Sequence, residues 1–175
     1  MFRHSLAALL TIICFICGAQ AQVHEHGRGQ AFVAQDNNLL VIELILPAAD
    51  VLGFEHVPET TQQKETFSRF RDTMRTPENF IKLPSQCMFV SVKLSLPSDN
   101  SEEHYHHSDH DHGDKKESHG NVELSFEYRC QSTIESITFP ILETYQSLSS
   151  LSVEWITESG QGAQNITSAK PDIRF

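Results

Sequence analysis

Two runs of strict alternation constrain this chain more than any other feature. Val122, Leu124, Phe126, Tyr128 and Cys130 alternate with Glu123, Ser125, Glu127 and Arg129. Met88, Val90, Val92, Leu94 and Leu96 alternate with Ser91, Lys93 and Ser95. A period of two sends successive side chains to opposite faces of a pleated strand, so each run reads as a half-buried strand. Paired antiparallel with Leu96 near Val122, they form a hairpin whose open end carries Cys87 and Cys130. Cys87 has the opposite phase from Met88 and would face away from Cys130 in a regular ladder. A bulge, or a strand that starts after Cys87, restores the phase.

The other elements follow the same logic. Gln30 to Ala34 and Leu39 to Leu46 flank Asp36-Asn37-Asn38, a turn sequence suited to a second hairpin. The second run is almost continuously apolar, as expected of a central strand. Thr60 and Gln63 form a capping box ahead of Phe67, Phe70, Arg71 and Met74, whose spacing predicts an amphipathic helix over about 61–75. Its aromatic stripe reads as core packing. Strands are expected at Ile134 to Phe139 and through Leu151, Val153 and Trp155, with a short helical stretch around Pro140 to Ser147. Gly160-Gln161-Gly162 is expected to turn the chain into a polar strand near Ala163 to Thr167, and Ile173 to Phe175 to add an edge. Strands outnumber helices and pair locally. The expected fold class is α+β: a single domain, mainly antiparallel sheet, with one principal helix and a disordered His-rich hairpin loop.

Residues 1–21 stand apart. Arg3 and His4 precede an apolar run from Leu6 to Ile16, and Ala19-Gln20-Ala21 supplies a small-residue cleavage pattern. The run is too short to span a bilayer, so it reads as a cleaved signal peptide. This leaves a domain over 22–175 and a periplasmic destination, with no stable membrane insertion. Cleavage removes one of 13 basic residues and none of 23 acidic ones, giving 12 against 23 and a net charge of −11. Such a chain repels nucleic acid and attracts cations. Only Cys87 and Cys130 survive cleavage, and in an oxidising compartment they are expected to form a disulfide. Two buried thiols or a thiolate zinc site are the alternatives.

The chemistry concentrates in 97–119, a flexible segment without apolar periodicity. It contains His104, His106, His107, His110, His112 and His119, with Asp109 and Asp111 between them. Neutral imidazole binds zinc, copper and nickel, and a carboxylate completes a tetrahedral zinc shell. A flexible loop pays ordering entropy on binding, so two or three exchanging sites of moderate affinity are expected. A solvated acidic loop with idle histidines is the bland alternative. A second group is His24-Glu25-His26 at the mature start. Cleavage after Ala21 leaves His24 third from the amine, a geometry that chelates Cu(II) or Ni(II) in a square plane. His56, before the helix, is either a third ordered ligand beside His24 and His26 or a hydrogen-bonded structural residue.

With these motifs in order, the chain resembles the ZrgA family of zinc-regulated periplasmic proteins. The resemblance rests on His24-Glu25-His26-Gly27, Gly53-Phe54-Glu55-His56-Val57-Pro58, Cys87, the His/Asp loop, Cys130 after an aromatic strand, and Gly160-Gln161-Gly162. It spans essentially the whole mature chain. The loop here is shorter and more mixed with Ser, Lys and Glu than the family's His-Asp repeats. The resemblance implies a zinc-binding accessory protein working beside an ABC-type importer and its substrate-binding protein. A copper or nickel buffer uses the same ligands. A zinc hydrolase needs three ordered ligands, an open position and a general base, and no H-E-x-x-H pattern is present. The chain is therefore read as a binding protein and not an enzyme.

Overall fold

The computed structural model describes residues 26–96 and 120–175. The expected signal peptide, His24 and the segment 97–119 lie outside the described residues.

A six-stranded mixed sheet dominates a single domain with few helices. Its strands are β1 (Arg28–Asp36), β2 (Leu39–Pro47), β3 (Cys87–Ser95), β4 (Asn121–Cys130), β6 (Ser150–Thr157) and β7 (Gly160–Thr167), in the spatial order β3-β4-β2-β1-β6-β7. The β1–β2 hairpin forms as the turn sequence predicts, with Asn37 at positive φ in the tight connection. Asparagine tolerates that left-handed region better than most residues. β2 is central, flanked by β1 and β4. Its even-numbered residues Leu40, Ile42, Leu44 and Leu46 are buried with Val122, Leu124 and Phe126 of β4.

One pairing departs from local expectation. β1 and β6 run parallel, Arg28 opposite Ser150 and Ala34 opposite Ile156. Gly29 permits the approach: a Cβ there would stand 2.6 Å from Leu151 Cδ2 and 2.9 Å from Leu46 Cδ2.

The helices cover one face. α1 (Ala48–Leu52) follows β2 directly, and α2 (Thr61–Thr73) starts at the Thr60/Gln63 capping box that the sequence predicts. Phe70 of α2 packs edge-on against Phe80, which follows the 3-10 turn at Pro77–Asn79, and Phe80 packs on Phe126. α3 (Ile141–Thr144) and a small second sheet of β5 (Ser136–Thr138) and β8 (Asp172–Arg174) close that layer. The C-terminal strand thus pairs with β5 and does not extend the main sheet. The chain turns between β6 and β7 at Glu158-Ser159, ahead of the Gly160-Gln161-Gly162 run. Gly162 lies within β7 because the indole of Trp155 occupies the space a Cβ would need.

The β3–β4 hairpin resolves the cysteine phase by a bulge. The register shifts between Phe89 and Ser91, so Cys87 pairs directly with Cys130 while Val92 and Leu94 still meet Phe126 and Leu124. Cys87 and Cys130 form a disulfide. The expectation that Met88 and Val90 point inward is corrected by the same bulge: both are exposed. The thiol and thiolate-zinc alternatives for these cysteines fall away.

Candidate functional site

Antiparallel order decides which ends of the strands lie together. β1 begins at Arg28, β2 ends at Pro47, β3 ends at Ser95 and β4 begins at Asn121, all at one end of the sheet. The disulfide and the β1–β2 turn occupy the opposite end, where Cys130 N–H donates to Asn38 O. With strands spaced by about 4.8 Å, the start of β1 and the two termini that border 97–119 fall within about 10–15 Å of each other across the sheet.

Short hydrogen bonds secure this end. Ala48 N–H, at the start of α1, donates to Gly120 O at 2.9 Å, which fixes the residue just after His119. Asp50 of α1 accepts from Gly27 N–H at 2.6 Å, which fixes the residue just after His26. Ser149 reinforces it, donating both its N–H and its hydroxyl to Gly27 O. Gly53, at positive φ, ends α1 in the left-handed cap that favours glycine and turns the chain into Glu55-His56.

His26 and Glu55 meet here, Nε2 to Oε1 at 3.6 Å, with the imidazole 61% exposed and the carboxylate 20%. His56 is exposed and held by its own neighbours. Its Nδ1 lies 2.9 Å from Val57 O, and its Nε2 lies 3.4 Å from Gln63 Nε2. Donation from Nδ1–H to the Val57 carbonyl fixes the tautomer with the lone pair on Nε2, where the Gln63 amide donates to it. Metal-binding histidines commonly present that tautomer, with the second nitrogen oriented by a carbonyl. Phe54 flanks the ring with centroids 5.7 Å apart.

Among the described residues, no group of three or more His, Cys, Asp or Glu side chains stands close enough to hold a metal ion. His26 joins Glu55, while His56 finds Val57 and Gln63. His24, His104, His106, His107, His110, His112, His119, Asp109 and Asp111 lie outside the described residues. Sequence reasoning missed two participants, Glu55 and Asp50. Glu55 stood inside the motif quoted for His56, but its proximity to His26 depends on the path of α1, which no local pattern gives. No described helix is long and apolar enough to cross a membrane.

The family model described as ZrgA family zinc uptake protein matches residues 23–175, which includes every described residue and the segment between them. No curated protein matches the chain.

Proposed function

The chain belongs to the ZrgA family of zinc uptake proteins, and from that premise we propose that it is an exported zinc-capture protein whose histidines collect Zn(II) for import. In this reading residues 1–21 direct export to the periplasm. His104, His106, His107, His110, His112 and His119, with Asp109 and Asp111, supply the ligands, and His24, His26 and His56 add donors at the same end of the sheet. Zinc is cargo, bound by exchanging imidazole sets and passed to the substrate-binding protein of an ABC importer. The family match across the mature chain carries the proposal. It is supported by the folding together of the residues on either side of 97–119, the His26–Glu55 pair and the oriented His56 ring.

Weak sites suit this role because an ion held too tightly is not released to the next protein. Capture is also an equilibrium with protons: protonated imidazole cannot coordinate, so acid releases the ion. A binding role requires no open coordination position and no positioned base, so the protein acts without catalysis. The copper or nickel reading rests on Gln22-Val23-His24 alone. Intact mass of the mature protein tests it, since a blocked amine removes the square-planar chelate.

The test of the main reading is calorimetric titration with zinc, copper and nickel, for the mature protein and for a variant lacking residues 99–118. Loss of all but one zinc site in the variant is expected. Unchanged stoichiometry would move the site to His24, His26 and His56 and sink the loop as the trap.

A further inference from the structure

Away from the metal-facing end, the outer edge of the sheet carries a surface that zinc capture leaves unused. β3 is an edge strand, and among the described residues no strand pairs with its second side. Edge strands are usually blunted by bulges and lysines, and β3 has both, the Phe89/Ser91 bulge and Lys93. It nonetheless exposes three consecutive large apolar residues: Met88 is 68% exposed, Phe89 40% and Val90 45%. Met88 shares the face of Arg129, its register partner, whereas Phe89 is turned to the helix-covered face, where it meets Tyr128 edge-on at 5.6 Å. Exposed apolar side chains thus straddle both faces of one free edge, the arrangement that an added strand would cover.

A groove runs along this edge between β3 and α2. Arg71, Met74 and Arg75 form one side, and Phe89, Ser91 and Val92 the other. The lining has two guanidinium groups and no carboxylate, in a chain with 23 acidic and 13 basic residues. Arg75 has only the exposed Asp72, at 3.8 Å, as an ion-pair partner among the described residues. Arg71 lies in the last turn of α2 and Arg75 in the turn just after its Met74 cap, and both line this groove. Acidic residues on the groove-facing side of an added strand would meet the two arginines, while apolar residues on its other side would cover Met88.

The geometry points to β3 and this groove as a docking site for a partner protein's extended segment in which acidic and apolar residues alternate. The segment adds to β3 by backbone hydrogen bonds, and Arg71 and Arg75 select its charge. The site lies nearer the disulfide end, so a partner seated there leaves the histidine-bearing end open. The proposal does not depend on zinc capture, and its readout is separate.

The test uses the full mature chain and two blocked, fluorescein-labelled ten-residue peptides, one alternating Val with Glu and one alternating Val with Lys. Anisotropy is expected to show binding of the Glu peptide only, weakening as salt is raised. R71E/R75E should lose at least tenfold in affinity for it and gain affinity for the Lys peptide. F89S should weaken binding without changing the charge preference. Both variants lie on exposed positions, and unaltered zinc titrations with near-parental melting temperatures would confirm that they fold. Equal binding of both peptides, binding of neither, or indifference to R71E/R75E overturns the proposal. So does a free chain that sediments as a dimer which R71E/R75E dissociates, because the occupant is then a second copy. Binding that appears only after deletion of residues 99–118 also overturns it, since the chain's own segment would then fill the groove.

Discussion

Removing the disulfide offers the most quantitative test of how this fold is held. Cys87 and Cys130 are 43 residues apart in sequence, and their covalent loop encloses the whole histidine-rich segment. Closing a loop of that length removes about 13 cal/mol/K from the unfolded chain, or about 4 kcal/mol at 25 °C. For a domain of this size each kcal/mol moves Tm by about 2–4 °C, so C87A/C130A should melt about 8–16 °C lower. Deleting residues 99–118 roughly halves the loop, and the logarithmic dependence then lowers the disulfide's contribution by only about 0.5 kcal/mol. Urea denaturation of four proteins measures this: parent, C87A/C130A, loop deletion, and the combination. The m-value should rise in the uncrosslinked forms because their unfolded chains expose more surface. A disulfide contribution below about 1 kcal/mol, or one that vanishes in the deletion background, would falsify the loop-closure argument. Zinc stoichiometry of C87A/C130A should match the parent at 25 °C, because the bridge lies at the opposite end of the sheet.

Further outcomes test particular side chains and the acid sensitivity of zinc binding. Gln35 is 5% exposed; its amide donates to Asn37 O and Ser132 O, and its carbonyl accepts from Ile134 N–H. Gln35→Leu strands those groups and should cost about 2–4 kcal/mol in urea denaturation. Tyr128 is buried, and its hydroxyl has no hydrogen-bond partner among the described residues, so Tyr128→Phe should be neutral or stabilising by about 1 kcal/mol. Burial, with a smaller contribution from Glu78, raises the Tyr128 pKa well above the usual phenol value of about 10. Since the unfolded phenol ionises first, its share of stability is complete below about pH 10 and is lost as pH rises beyond it. Tyr128→Phe should therefore flatten the alkaline fall in Tm. Gly29→Val forces a side chain against Leu151 and Leu46 and should cost about 1–3 kcal/mol, read from the shift in Tm. Zinc binding measured at pH 5 should fall at least tenfold from its value at pH 7, since free imidazole titrates near 6.5; undiminished binding would exclude histidine as the main ligand.

Local chemistry made the faces and the hairpins legible. The alternation in 122–130 and the run 39–46 matched their strands because a half-buried sheet leaves a period of two in sequence. Thr60 and Gln63 marked the start of α2 because both capping bonds are local. The same alternation misplaced Met88 and Val90, since a bulge changes phase without changing composition. The parallel union of β1 with β6 joins residues more than a hundred positions apart, and its only local trace is the missing side chain at Gly29. Gly160-Gln161-Gly162 looked like a turn by composition, but the indole of Trp155 explains Gly162. Among the site residues, His26 and His56 were recognised by type. Their partners Glu55, Val57 and Gln63 were not, because α1 and its Gly53 cap decide where that stretch lies.

The distribution of constraint along the sheet carries a functional consequence. At one end, a covalent bridge and a tight turn tie β3, β4 and β2 together. At the other, Gly27 is held by hydrogen bonds to Asp50 and Ser149 and Gly120 by one from Ala48, just where the chain leaves the described residues toward its histidines. The segments that carry the proposed ligands thus leave the sheet from fixed residues. The buried side chains and the disulfide that hold the core lie among the described residues and include none of the proposed ligands. Under the proposed reading the domain would keep its fold as ions are gained and lost, unlike a small metal domain that folds only when loaded.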